Sequence, residues 1–381
     1  MQKIHFHSFD AFRFFAFFKV YIFHATAVVV AAEGSTLEWV KEHVAYGGGI
    51  GVSFFFVLSG FLITYILTHD KIQYGNIGVK KFFLRRAFRI WPLFYLLVLM
   101  AFLIPGEFAD YIGFHMVGGG YEPDWKFSFT FLENYKMYIE DNAPMTTPLS
   151  VFWSLCVEEQ FYIGWMIAFF LIGRKYLPYY LGASIVLALV FRMNHDAIYG
   201  TENVVNNDLF TNMDYFAISG LLGYFVAVNY KKVAELSSRI PFVVKLLYVL
   251  GIITVLLYQK AIFSHQSWFM SNFKYTIYSL MFAFLIFIFI PKNSKMKFSE
   301  TNVLTRLGKI SYGLYVYHIM WVHFVFKFFV DNGVQIDGWR SYFIYIFITL
   351  TGTIITSVLS YRYFEKPLLN YREKLFPSNS K

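Results

Sequence analysis

The sequence DAFRFFAFFKVYIFHA, residues 10–25, places ionisable side chains inside an apolar stretch that begins a segment long enough to span a membrane. Arg13 and His24 are eleven residues apart, and eleven steps of about 100° bring an α-helix nearly back to its starting angle. Both side chains therefore share one face, separated by a rise of about 16 Å. Charges inside a bilayer are costly and by default indicate a functional site; the alternative is a histidine that only packs between helices.

The composition of the whole chain predicts an all-α polytopic membrane protein. Of its 381 residues, 57% are hydrophobic and 15% are charged, whereas an ordinary soluble domain carries about 25% charged residues. We predict about ten transmembrane helices in a single integral-membrane domain over residues 1–381. The apolar segments fall at about 10–32, 47–68, 82–104, 152–173, 176–193, 213–230, 241–258, 272–291, 309–330 and 341–364.

The distribution of Lys and Arg predicts the orientation of these helices. The chain has 33 such residues. With a cytoplasmic N-terminus, 22 of them fall in inside segments, counting those at the inner ends of helices, and 6 fall in outside segments, as the positive-inside rule requires. Both termini are therefore predicted to be cytoplasmic. The net charge of +9 is explained by this bias, and we expect membrane lipids rather than nucleic acid as partners.

The longest predicted connection, residues 105–150, lies outside in this topology. It is acidic and aromatic, and it is long for a bare connector. It either covers or binds an external substrate or has no catalytic role. The chain contains one cysteine, Cys156, which excludes an intrachain disulfide and a CxxC metal site, and no metal site is predicted. Cys156 is interpreted as a buried filler rather than a nucleophile.

The third predicted helix begins with a basic cluster. Arg86 and Arg89 are three residues apart, so they share a face. A positive-inside anchor would explain them, but Arg89 lies deeper in the apolar run than an anchor needs. Guanidinium groups bind phosphate through two parallel donors, so the pair is a candidate phosphate site.

The fourth predicted helix carries two adjacent carboxylates. Glu158 and Glu159 lie about 9–10 Å below its outer end, while His24 lies about 12 Å below the outer end of the first helix. Because these depths match, either carboxylate could orient the imidazole of His24, as a general base requires. The alternative is a structural, hydrogen-bonded glutamate.

Two further segments carry candidate binding residues. Asp214 lies at the outer start of the sixth predicted helix, and its alternative role is a helix cap. Ser311, Tyr315 and His318 fall on one stripe of the ninth helix at i, i+4 and i+7. Such an aromatic stripe serves chemistry or packing equally well.

Seven short motifs are spread over nearly the whole chain. They are DAFRFFA (10–16) with His24, GVSFFFVLSGFLIT (51–64), RRAFRIWP (85–92), WSLCVEEQFY (153–162), Met213-Asp214, ISYGLYVYH (310–318) and YFEKP (363–367). Together, and in this order, they resemble the membrane acyltransferase-3 family. Lys19 stands where we expect an apolar residue, and Asn212 where we expect an arginine.

The resemblance implies an enzyme that takes an acyl group, usually acetyl, from cytoplasmic acyl-CoA. The acceptor is a hydroxyl of an extracytoplasmic or lipid-linked glycan, or of another small molecule, and the expected location is the bacterial cytoplasmic membrane. Acyl-CoA is a donor substrate, and no permanently bound cofactor is expected. The family's functional motifs correspond to Arg13/His24 and Arg86/Arg89. The chain resembles members without a fused esterase-like domain.

The mechanism predicted from sequence assigns a role to each candidate. Arg13, Arg86 and Arg89 hold the phosphates of acyl-CoA, and His24 acts as base or acyl relay, oriented by Glu158 or Glu159. The remaining candidates, Asp214, Ser311, Tyr315 and His318, contribute to substrate binding. Two other classes stay open from sequence: a proton-coupled transporter, which also needs intramembrane charges, and a non-catalytic receptor or assembly partner.

Overall fold

A computed structural model describes residues 4, 6–104, 106–111, 123–142, 148–201, 204, 206–263, 267–291 and 294–375, and all regular structure in these ranges is helical. The predicted all-α fold is thereby confirmed. The α-helices are α1 His7–Ala27, α2 Thr36–Trp39, α3 Gly49–Tyr74, α4 Val79–Leu103, α5 Gly106–Tyr111, α6 Trp125–Phe129, α7 Glu133–Glu140, α8 Phe152–Leu171, α9 Leu177–Met193, α10 His195–Tyr199, α11 Met213–Ser238, α12 Phe242–Leu257, α13 Gln259–Phe263, α14 Trp268–Phe289, α15 Val303–Lys309, α16 Ser311–Asp331, α17 Trp339–Ser360 and α18 Lys366–Leu375. Two π-helical turns, Val40–Ala45 and Tyr361–Glu365, and three 3₁₀ turns, Pro148–Val151, Arg174–Tyr176 and Phe210–Asn212, complete the set.

Long helices occupy all ten predicted apolar segments: α1, α3, α4, α8, α9, α11, α12, α14, α16 and α17. Within the described ranges, six helical stretches are long and apolar enough to cross a membrane, or seven if α11 and α12 form one span bent by 93°. The helices α1 and α8 fall outside that set; α1 carries Arg13 and His24, and α8 carries Glu158 and Glu159. The protein is a polytopic membrane protein, while the count of ten and the cytoplasmic termini stay predictions.

Small residues let α3 pack against its neighbours at backbone distance. A Cβ at Gly51 would lie 2.5 Å from the carbonyl oxygen of Ala16 on α1. A Cβ at Gly60 would lie 2.4 Å from the carbonyl oxygen of Phe216 on α11, and Gly223 meets α3 equally closely from the other side. The GVSFFFVLSGF segment thus serves close helix contact, as membrane helices require in the absence of a hydrophobic driving force.

The packing around α3 brings five helices to one place. The helix α1 packs on both α3 and α16, while α8 packs on α3 and α4. The 3₁₀ turn before α8 contacts α4 and α16, which closes the ring. Because charged side chains project inward from α1, α4 and α8, this arrangement places them around a common interior.

Part of the 105–150 connection folds back onto the bundle. Phe131, between α6 and α7, stacks on Phe94 of α4 with ring centroids 4.3 Å apart. The Gln160 amide on α8 donates to the Phe131 carbonyl at 2.8 Å and to the Asn134 amide oxygen at 3.0 Å. Residues 105, 112–122 and 143–147 of the connection lie outside the described residues. Its predicted role towards an external substrate stays a prediction.

Candidate active site

A cavity of about 760 Å³, including its open mouth, lies between α1, α3, α4, α8 and α16. Charged and hydroxyl-bearing side chains share its wall with aromatic and aliphatic ones. The lining residues are Arg13, Val52, Phe55, Phe56, Ser59, Leu62, Ile63, Arg86, Arg89, Ile90, Ser154, Leu155, Glu158, Tyr162, Ser311, Tyr312 and Tyr315.

The three arginines singled out from two separate sequence motifs all line this cavity. Arg13 comes from α1, where it forms an ion pair with Asp10 one turn earlier. Arg86 and Arg89 come from α4, and the guanidinium of Arg86 lies over the Tyr162 ring at 5.3 Å. Stacking on an aromatic face holds a guanidinium plane while its N–H groups stay available.

Glu158 is the carboxylate of this cavity. It accepts short hydrogen bonds from the hydroxyls of Ser59 on α3 and Tyr162 one turn further along α8. Among the lining residues, three guanidinium groups therefore face one carboxylate. Even with Arg13 paired to Asp10, two further guanidinium groups face this one carboxylate, and such an excess of positive charge suits an anionic ligand.

Glu159 lies outside the cavity lining. Its side chain is buried, and one carboxylate oxygen accepts a hydrogen bond of 3.0 Å from the Trp91 indole on α4. The roughly 100° between adjacent helical positions explains why the two glutamates enter different surroundings. Glu158 is thus the one that a substrate in the cavity would meet.

The predicted pairing of His24 with Glu158 or Glu159 is wrong. Neither carboxylate bonds to His24 within the described part of the chain; the ring of His24 instead lies 5.3 Å, centroid to centroid, from that of His318. Equal depth in the bundle does not fix the direction in which a side chain points. The helix α8 presents its glutamates to α3 and α4, whereas His24 on α1 faces α16.

The stripe predicted on α16 is present, and its residues fall into two places along the helix. Ser311 and Tyr315 line the cavity, and the Tyr315 hydroxyl hydrogen bonds with that of Ser154 at 2.6 Å. His318, one turn further along α16, does not line the cavity and lies fully buried beside His24. The stripe therefore connects the arginine cavity to the histidine pair.

Four polar lining residues were missed from sequence: Ser59, Ser154, Tyr162 and Tyr312. Tyr162 stands four residues after Glu158, a spacing that could have indicated their hydrogen bond. Tyr312 donates to the carbonyl of Ile90 at 2.9 Å across the α16–α4 contact, which no sequence spacing reveals.

Asp214 does not line the cavity, contrary to its predicted place among the substrate-binding residues. Both of its carboxylate oxygens accept from the Arg192 guanidinium, at 2.9 and 2.7 Å, and the Thr276 hydroxyl donates to one of them at 2.6 Å. The pair is fully buried between α9, α11 and α14. Its charges are compensated locally, so Asp214 is placed as a structural residue.

Lys19, on another face of α1, satisfies two backbone carbonyls. Its ammonium donates to Val44 at 2.6 Å and to Tyr46 at 2.7 Å, at the end of the π-helical turn that precedes α3. An extra donor at this position therefore holds the α2–α3 connection against α1, and it points away from the cavity.

Comparison with known proteins identifies the family. A family model described as an acyltransferase domain matches residues 6–358. The chain is 26% identical over 373 residues to "Putative O-acetyltransferase SAR0937" of Staphylococcus aureus, covering 91% of this chain, and 25% identical over 387 residues to O-acetyltransferase OatA of the same species, covering 96%. It spans 58% of the length of each relative, and no solved structure matches. The cavity, its arginines and the near-complete family match together lead to one conclusion: the chain belongs to the acyltransferase-3 family.

Proposed function

We propose that this protein is a membrane O-acyltransferase that moves an acyl group, in the first instance acetyl, from cytoplasmic acyl-CoA to a hydroxyl of an extracytoplasmic or lipid-linked glycan. The observation that carries the proposal is the convergence of three guanidinium groups on one cavity inside an acyltransferase domain. The names of the staphylococcal relatives support acetyl as the group transferred. The bacterial cytoplasmic membrane is the corresponding location.

Arg13, Arg86 and Arg89 hold the phosphates of the donor. A guanidinium presents paired N–H donors that match two phosphate oxygens, and it keeps its charge in a dry environment. Glu158 lies among the three and limits the excess charge, so the unliganded cavity is less self-repulsive. Arg86 is held against Tyr162, which keeps its donors directed.

The distance between Arg13 and His24 along α1 is the distance that the donor must span from its phosphates to its thioester. Arg13 lies near the predicted cytoplasmic end, and His24 lies about 16 Å further along the same face. The pantetheine arm of acyl-CoA would run along the α1–α16 contact, past Ser311 and Tyr315, and place the thioester beside His24. His24 is partly exposed as a residue, and the proposal requires an acceptor from the outer side to reach its ring.

One proton moves from the acceptor hydroxyl to His24 and then to the leaving CoA. His24 takes the proton from the acceptor hydroxyl as its oxygen attacks the thioester carbonyl carbon. The new C–O bond forms and the C–S bond breaks. His24 then gives the proton to the departing CoA thiolate. The products are the acyl ester and free CoA.

An acyl-histidine relay is the main variant of this mechanism. In the relay, His24 itself attacks the thioester carbonyl, the C–S bond breaks, and CoA leaves as a thiolate that takes up the imidazole proton. The acceptor hydroxyl then attacks the acyl-histidine, the C–N bond breaks, and the hydroxyl proton returns to the imidazole. A single turnover with radiolabelled acetyl-CoA, quenched before the acceptor is added, separates the two. Label on the wild-type protein that is absent from His24→Ala supports the relay, and unlabelled protein supports direct transfer.

The arginine cavity is tested by kinetics of the purified protein in lipid nanodiscs, with CoA release as readout. Losing one charge-assisted phosphate contact costs about 1.5–3 kcal/mol, so Arg86→Ala or Arg89→Ala raises KM for acetyl-CoA about 10–100-fold. Arg239→Ala is the matched control, since Arg239 is exposed and pairs with Glu235 at the surface. Unchanged donor affinity in both cavity variants would remove the phosphate-binding assignment.

The role of His24 needs a separate variant. His24→Ala, folded as judged by thermal unfolding, loses acyl transfer while retaining acetyl-CoA binding. Undiminished transfer by this variant would overturn the assignment. Solute counterflow in liposomes without any acetyl-CoA consumption by the wild-type protein would instead favour the transporter class.

The acceptor is identified in the cell. Deletion of the gene followed by mass spectrometry of surface glycans is expected to show the loss of one acyl mass increment. The size of that increment identifies the acyl group, and the glycan that loses it identifies the acceptor. Unchanged acylation of every surface glycan would contradict a glycan acceptor.

A further inference from the structure

We propose that His318 is the residue that orients His24, a role that sequence reasoning gave to a carboxylate. The inference rests on the proposed acyltransferase function, in which His24 acts on the acceptor hydroxyl. It assigns His318 as a positioning residue, because it acts through His24 and does not line the cavity. A hydrogen bond, a buried nitrogen atom and a ring contact of His318 support this role.

The hydrogen bond determines the tautomer of His318. Its Nδ1 lies 2.5 Å from the backbone carbonyl oxygen of Tyr315, one turn earlier on α16. A carbonyl oxygen only accepts, so Nδ1 must carry the hydrogen. In a neutral imidazole the other nitrogen, Nε2, is then an acceptor with a free lone pair.

That lone pair has no donor within the described part of the chain. The side chain of His318 is fully buried, and its Nε2 is without a hydrogen-bond partner. A buried acceptor left unsatisfied is costly, and such groups in folded proteins usually have a functional explanation. The tertiary structure thus presents a fixed, dry acceptor beside the proposed base.

The rings of His24 and His318 lie beside each other. The centroids of His24 and His318 are 5.3 Å apart, with the ring planes inclined by 52°. An N–H···N bond of about 2.9–3.0 Å plus the two ring radii gives a similar centroid separation. The bond itself is not formed in this geometry, so the proposal requires the partly exposed His24 ring to rotate.

The bond would prepare His24 for its proposed role. An N–H of His24 donated to His318 Nε2 leaves the other His24 nitrogen unprotonated, as a base or nucleophile requires. This is the orienting function that a carboxylate has in a Ser-His-Asp triad, here carried by a neutral group. A neutral His318 would select the tautomer without adding charge to the membrane interior.

Two conservative variants distinguish the two nitrogens of His318. The amide of glutamine reaches the position of Nε2, whereas the amide of asparagine reaches that of Nδ1. We expect His318→Gln to keep kcat for CoA release from acetyl-CoA within about threefold, measured in membrane vesicles that contain the native acceptor. We expect His318→Asn to lower kcat about 10–100-fold with KM for acetyl-CoA unchanged, since one orienting hydrogen bond is lost.

The opposite order of the two variants would overturn the proposal, because rescue by asparagine would mean that only the bond to the Tyr315 carbonyl matters. Two fully active variants would overturn it as well. His323, five residues further along α16, lies close enough to interact electrostatically with His24 and with His318. A loss of kcat in His323→Gln with none in His318→Asn would move the orienting role to His323 and overturn the proposal.

A measurement on the wild-type protein tests the proposal even if the variants do not fold. Nitrogen-15 NMR of histidine-labelled protein reports the tautomer of each ring. We expect hydrogen on Nδ1 of His318; hydrogen on Nε2 would refute the argument. A wild-type protein that shows this tautomer but never consumes acetyl-CoA would instead disprove the proposed function.

Discussion

The buried pair of Arg192 and Asp214 offers the sharpest test of how this bundle is held together. The guanidinium and carboxylate make two nearly parallel hydrogen bonds, at 2.9 and 2.7 Å, and the exposed fractions of the two side chains are 2% and 0%. Arg192 also donates to the Thr211 carbonyl at 2.7 Å. Asp214→Asn keeps the shape of this site but leaves the arginine charge buried without a counter-charge.

The expected cost follows from that burial. Removing one partner of a buried ion pair costs about 3–5 kcal/mol, because the remaining charge is left uncompensated. With an unfolding entropy of about 2.1 cal/mol/K per residue, the 381 residues correspond to about 0.8 kcal/mol/K. The loss in Tm is therefore about 4–6 °C. Replacing both partners, Arg192→Met with Asp214→Leu, restores most of it, since no buried charge remains.

Thermal unfolding followed by intrinsic tryptophan fluorescence in detergent measures these shifts. The matched control is Asp331→Asn, which breaks an exposed i,i+4 pair with Lys327; exposed pairs contribute about 0–1 kcal/mol. Activity per folded molecule is measured in parallel. A Tm for Asp214→Asn equal to that of the control, combined with lost acyl transfer, would refute the structural assignment and return Asp214 to the substrate site.

Three further predictions concern the cavity and its helix contacts. Gly60→Ala forces a Cβ to within 2.4 Å of a backbone oxygen on α11 and should cost about 1–3 kcal/mol in unfolding free energy, whereas Gly164→Ala, with no atom within 4 Å, should not destabilise; equal melting curves would contradict this. Glu158→Gln removes the carboxylate charge and replaces one acceptor oxygen with an amide that donates, like the Ser59 and Tyr162 hydroxyls around it. This variant should lower kcat/KM at least about tenfold. Glu159→Gln still accepts from the Trp91 indole and should keep kcat/KM within about threefold; a larger loss in the same CoA-release assay would place Glu159 in the chemistry.

Local spacing allowed much of the site to be predicted. The Arg13–His24 face, the Arg86/Arg89 pair and the Ser311–Tyr315–His318 stripe all depend on the helical period within one segment, and each is present. The failures concern contacts between segments. The His24–glutamate pair was inferred from matching depths, but depth leaves the rotation of each helix about its own axis undetermined.

The surroundings of Asp214 also could not be predicted from spacing within one helix. Its partner, Arg192, lies 22 residues earlier at the end of α9, and Thr276 lies on α14, so no pattern within one helix indicates that the three meet. Ser59 and Tyr312 were missed for the same reason. Each completes its hydrogen bond on a different helix, with Glu158 of α8 and the Ile90 carbonyl of α4.

The sequence by itself determined the membrane class, the positions of the long helices, the family resemblance and the charges on each helix face. These follow from composition and from the fixed period of the α-helix, which need no knowledge of the partners. Only the tertiary structure decided which faces meet: three arginines with Glu158 in one cavity, Asp214 with Arg192 outside it, and His318 beside His24. The physical reason is that these contacts depend on how whole helices pack against one another, as at the close backbone approaches of Gly51 and Gly60, and no pattern within one helix specifies that packing.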